Sequence, residues 1–166
     1  MNGKEHQQRT DTNPNADDES AGIDAALSQL EGCLESPVVP GELPSWASAV
    51  EEAYKDVRDP LRHELEHTHP DHFDQISSEN SDLLHQVEQM HEEDALIREH
   101  YGKLADKIEQ FRKRVEPAEP HESKLDECLS AVVDEGLQFV IRVRSQQQAV
   151  STWLLESFQR DTGVAD

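Results

Sequence analysis

LLHQVEQMHEEDALIREHYGKLADKIEQFRKRV, residues 83–115, decides the fold. Its apolar positions are Leu83, Val87, Met90, Ile97, Tyr101, Leu104, Ile108, Phe111 and Val115. The steps alternate between three and four, with one gap, from Met90 to Ile97. That spacing lays a single apolar seam along a helix of about nine turns. The gap falls on position 94, which holds Asp94. A carboxylate in an otherwise apolar seam is costly unless something pairs with it. The rest of the chain is therefore read as the helices that cover this seam and the groups that answer Asp94.

Composition limits what those helices build. A chain of 166 residues is one domain's worth. Aromatics make up 5% of it and hydrophobic residues 34%, thin for a sandwich or barrel but enough for a bundle packed by Leu, Val and Ala. Against 15 basic residues stand 36 acidic ones, a formal net charge of -21. Such a surface repels phosphate backbones and anionic lipid, which argues against nucleic acid and membranes as partners. The cysteines, Cys33 and Cys128, form neither a CxxC nor a zinc-ribbon spacing, and two of them make no disulfide framework. The first twenty residues hold no apolar h-region, and the longest apolar run near the C-terminus, LQFVIRV, is too short for a bilayer. A reduced cytoplasmic setting is the expectation.

Working outward, residues 1–19 are polar, acidic and rich in Asn and Asp, and are expected to be disordered. Ser20 reads as an N-cap for a short amphipathic helix over 20–36, with Ile23, Leu27, Leu30 and Leu34 on its face. Pro37, Pro40 and Pro44 make 37–44 a linker. A bundle domain is expected over 45–163. Its first helix carries the seam Trp46, Val50, Ala53, Val57, Leu61, Leu65, and Asp59-Pro60 predicts a kink or break. The same seam continues through Thr68, His72 and Ile76, across Pro70. The serine-rich run 77–81 reads as a turn with a fresh N-cap. After the helix of 83–115, Pro117 and Pro120 make a short connection. The last helix follows the seam Leu125, Leu129, Val132, Gly136, Phe139, Val143, Gln146, Val150, Trp153, Ser157, and Gly163 is placed to end it. Trp46 and Trp153, near helix ends, read as core plugs. With no alternating β-branched run anywhere, the prediction is all-α: an up-and-down helical bundle of two long helices, one kinked helix and a short N-terminal helix.

Four polar residues sit on apolar seams: Thr68, His72, Asp94 and Gln146. Bundle cores are where metal and cofactor sites are assembled from facing side chains. In that role His72 and Asp94 supply ligands, and Thr68 and Gln146 hydrogen-bond to them. The competing structural role is a buried polar network that fixes helix register with no metal. His63 and His67, four residues apart, fit a solvated face better than a surface clamp, since two ligands seldom hold a metal specifically. No nucleophile with a base at usable spacing, no Gly-rich phosphate loop and no paired-carboxylate motif points to an enzyme.

Trp46 at a helix start, Leu61-Arg62-His63-Glu64-Leu65, the segment 87–97, and the ending Leu154-Leu155-Glu156-Ser157-Phe158-Gln159-Arg160-Asp161-Thr162-Gly163 together resemble the bacterial hemerythrin-like (HHE) domains, over about residues 45–163. The resemblance implies a bundle whose His and Glu side chains hold a metal pair, commonly iron, for oxygen binding or sensing. Carried over position by position, the first HxxxE falls on Thr68 and His72, the lone His on Asp94, and the last HxxxE on Gln146 and Val150. Only His72 and Asp94 keep a metal-binding type, so the resemblance implies a degenerate member with no cofactor. The expected role is that of a non-catalytic interaction or regulatory protein with an unidentified protein partner. The alternative is an iron-binding oxygen or redox sensor. Exposed halves of the long seams leave room for a homodimer.

Overall fold

The computed structural model describes residues 14–39, 41–116 and 122–159, with the backbone alone for 14–21 and 122–124. Among the described residues every regular element is helical and none is a strand. The α-helices are α1 (Pro14–Glu35), α2 (Leu43–His63), α3 (His69–Glu79), α4 (Leu84–Val115) and α5 (Glu122–Gln159). A π-helical turn, Glu64–Thr68, joins α2 to α3 end to end. A short 3-10 turn, Ser81–Leu83, leads into α4. The result is four rods: α1, α2–α3, α4 and α5.

Cross-links between rods give their directions. Glu51 pairs with Arg112 at 2.9 Å and His69 with Asp94 at 2.9 Å, so α2–α3 runs against α4. Glu93 pairs with Arg142 at 2.6 Å and Glu135 lies 3.0 Å from His100, so α4 runs against α5. Glu31 pairs with Arg144 at 2.8 Å, while a Cβ added at Gly136 would lie 2.5 Å from Leu34 Cδ1, so α1 runs against α5. This is an up-and-down bundle, as the periodicity and short connections predict.

Three details differ from the sequence expectation. First, α1 begins at Pro14, not Ser20, so residues 14–19 are helical. Proline suits a first helical position. With Ile23, Leu27 and Leu30 fully buried, α1 is the fourth rod of the bundle, the N-terminal helix of the expected architecture. Second, α2 continues through Pro60, and the irregularity lies at Glu64–Thr68 instead. Third, residues 77–79 of the run read as a turn are still helical, and the expected fresh N-cap falls on Asn80, whose backbone is extended and whose side chain accepts from the Asp82 N–H at 3.0 Å. The tail 1–13, Pro40 of the linker, the Pro117–Pro120 connection, and residues 160–166 with the Gly163 cap and the end of the family-like motif lie outside the described residues.

The core is in two parts. The larger joins all four rods and includes Leu27, Val57, Leu104 and Phe139. Burying each such side chain contributes roughly 1.5–3 kcal/mol. Trp46 plugs this end as expected, donating Nε1–H to Cys33 O at 3.0 Å and standing edge-on to Phe111. Nearby, Tyr54 and Tyr101 stack at 4.3 Å, and each hydroxyl donates to the other's backbone carbonyl, at 2.9 and 3.2 Å. The smaller part, at the opposite end, gathers Phe73, Ile76, Leu83, Val87, Met90 and Val150, with Trp153 packed against it. Between the two lies a layer of charged and polar side chains. Among the described residues no helix is long and apolar enough to cross a membrane.

Candidate functional site

The π turn decides which side chains meet in that layer. In an α-helix Leu65 O would accept from the His69 N–H. Here the His69 N–H bonds to Glu64 O instead. In the wider pattern the donor to Leu65 O would be residue 70, which is a proline and has none. Arg98, from α4, takes up the stranded carbonyl, donating Nη2–H to Leu65 O at 3.0 Å. The extra residue in the turn rotates everything after it by roughly 100° relative to a regular helix. The buried line of this rod is therefore Leu61, Leu65, His69, Phe73, Ile76, and not the expected line through Thr68 and His72.

His69 is thereby aimed at Asp94. It is 2% exposed, and its Nδ1 lies 2.9 and 3.0 Å from the two oxygens of the Asp94 carboxylate. Gln146 of α5 donates Nε2–H to Asp94 Oδ1 at 2.7 Å and to Met90 O at 2.8 Å. On the far side of the ring, Glu64 Oε1 stands 3.4 Å from His69 Nε2, close enough for an ion pair but not aligned for a hydrogen bond. Burial works to lower the His69 pKa. The hydrogen bond to Asp94, then the neighbouring Glu64, raise it by more, and it ends at about 9. At neutral pH the centre is an imidazolium held between two carboxylates, with an amide closing one side.

The sequence-predicted residues divide cleanly. Asp94 and Gln146 do meet, across α4 and α5. Thr68 and His72 do not join them: Thr68 is half-buried in the π turn, and His72 sits off the buried line with its Nδ1 lacking a partner. Burial, then the positive charge of His69, lower the His72 pKa, so this imidazole is neutral. Val150, the last position carried over from the family resemblance, packs in the smaller apolar cluster. Glu64 and His69 are the members that the seam reading missed. A signal for His69 was present: Leu61, Leu65, His69 and Phe73 recur at steps of four, wider than the 3.6 of a regular helix, and Pro70 stands where the extra residue would be absorbed. The line through Thr68 and His72 leaves the large aromatic Phe73 off the core.

The centre does not fit a metal pair. Asp94 and Glu64 face opposite nitrogens of one ring, whose lone pairs diverge, so an ion at either nitrogen lies away from the carboxylate at the other. Among the described residues no group of three or more His, Cys, Asp or Glu is placed to hold a metal ion. Elsewhere, Glu135 lies beside both His100 and Lys107, at 3.0 and 3.4 Å, and the rings of His63 and His67 stand 4.9 Å apart at the surface.

Fold and site together define an all-α up-and-down bundle with a buried histidine–carboxylate centre. Compared with known proteins, the chain matches no family model, no curated protein and no solved structure.

Proposed function

We propose that this protein is a hemerythrin-like helical bundle acting in the cytoplasm as a non-catalytic interaction or regulatory protein, with a buried ion pair where that family holds its metal pair. The observation that carries this reading is the state of Asp94. Both of its oxygens lie within 3.0 Å of His69 Nδ1, and Oδ1 also accepts from Gln146. A carboxylate so occupied has little capacity left to bind a cation, and its role is to hold α3, α4 and α5 in register. Two positions carried over from the family, Asp94 and Gln146, fall in this centre, which supports descent from a metal bundle without supporting retained metal.

The test is metal content, by plasma mass spectrometry, of protein purified without a His tag, before and after anaerobic iron loading. The expected result is no metal above background in a fully helical protein. Near-stoichiometric iron, with an absorbance band from an oxo-bridged pair, would overturn the reading in favour of an oxygen or redox sensor.

A further inference from the structure

We infer that the outward face of α5 is a self-association surface, on which a second copy of this chain packs its own α5 antiparallel, about a two-fold axis at Gln148. The inference is independent of what the buried centre does.

The face has an uncommon composition. Ile141, Ser145, Gln148, Thr152 and Leu155 follow at steps of four, three, four and three, and all are exposed. This is the spacing of a helix–helix seam, here turned away from the bundle. Ile141 and Leu155, each 62% exposed, are the most exposed large apolar side chains among the described residues. From Leu137 to Leu155 there is no Asp or Glu, in a chain that carries 36 of them. The two cations of this stretch are committed within the chain, Arg142 to Glu93 at 2.6 Å and Arg144 to Glu31 at 2.8 Å. A molecule with a net charge of -21 repels its own copies. Along this stripe two copies approach without facing carboxylates of α5, and Glu93 of the neighbouring α4 is held by Arg142.

The pattern is also self-complementary, which a two-fold interface requires. Ile141 and Leu155 each lie seven residues from Gln148, or about 10 Å along the helix. In an antiparallel pair centred there, Ile141 of one copy faces the partner's Leu155, and the contact occurs twice. The small Ser145 and Thr152 between them let the helices come close. A cavity of about 310 Å³ opens at the α4–α5 seam on this side, lined by Glu93, Gln138, Ile141, Arg142, Ser145 and Gln146. It receives the partner's Leu155, which arrives at the level of Ile141 and Ser145. A seam of roughly 20 Å is at the small end for specific interfaces, so a micromolar dimer is expected.

The experiment is sedimentation equilibrium on the full chain across micromolar to submillimolar concentrations. Wild type should dimerise. Ile141→Lys and Leu155→Glu should each weaken the dimer about tenfold or more, because each buries an unpaired charge. Both positions are exposed, so helicity by circular dichroism should not change. The two substitutions in one chain should largely restore the dimer, since the antiparallel register brings opposite charges face to face at both ends. Leu84→Glu, exposed but on α4, should leave it unchanged. A wild type that stays monomeric, a dimer indifferent to both single substitutions, or a double variant no tighter than the singles would overturn the inference.

Discussion

The two ends of this bundle are held by different physics. At the end where α1, α2, α4 and α5 meet, apolar side chains fill the space, the Tyr54 and Tyr101 hydroxyls bond to backbone carbonyls, and His100 lies at the edge, 3.0 Å from the part-exposed Glu135. Toward the other end the packing is interrupted by a charge triplet, Glu64–His69–Asp94, that sits across three rods with Gln146. Apolar packing is non-directional and tolerates small losses. A buried ion pair is directional and depends on every partner being present. The difference teaches that the first end supplies stability, while the second supplies register and is the more fragile to single changes.

The largest single loss is expected on removing His69. His69→Ala should cost about 4 kcal/mol by denaturant unfolding, because it leaves Asp94 buried with only an amide partner. Leu104→Ala, at a fully buried position of the apolar end, should cost about 3 kcal/mol. Replacing His69 and Asp94 together by Leu should recover about half of the His69→Ala loss, since only Glu64, at the edge of the centre, is then left without its cation. If the double variant were as unstable as His69→Ala, the centre would not be an ion pair acting as a unit.

Acid–base titration sharpens the same point. The pKa of His69 is raised from 6.5 to about 9 on folding. A raised folded-state pKa means that the folded state holds the proton more tightly. This stabilisation is fully present below about pH 6.5 and is lost as pH rises through about 9. Its size is about 3 kcal/mol, and urea midpoints measured from pH 6 to 10 should fall accordingly. In the His69→Leu, Asp94→Leu variant that fall should vanish. A wild-type profile flat over this range would mean that His69 is neutral.

Smaller effects separate the π turn from its surroundings. Arg98→Ala should cost about 1–2 kcal/mol, because Leu65 O then loses the donor that neither His69 nor Pro70 can replace. Tyr54→Phe, at the apolar end, should cost about 1 kcal/mol for one lost hydroxyl hydrogen bond, with stacking on Tyr101 preserved. Equal and negligible losses at both sites would remove the distinction between a widened turn that needs its cap and a packed end that does not.

What the sequence determined by itself is the bundle. The three-and-four spacing of Leu83 to Val115, the seam of α5 and the scarcity of β-branched alternation leave a helix pattern and nothing competing with it, because burial of a helix face follows local periodicity. It also marked Asp94 and Gln146 as polar groups on apolar lines, and the structure brings these two into contact. Which side chain answers Asp94 was settled by packing between helices. One added residue in the Glu64–Thr68 turn moves His69 onto the buried line and Thr68 and His72 off it. That turn is worth forming because Arg98, thirty-three residues away in the chain, is there to bond the carbonyl it strands. Periodicity is a local property, whereas the cost of a broken helical hydrogen bond is settled by whatever another helix brings to it.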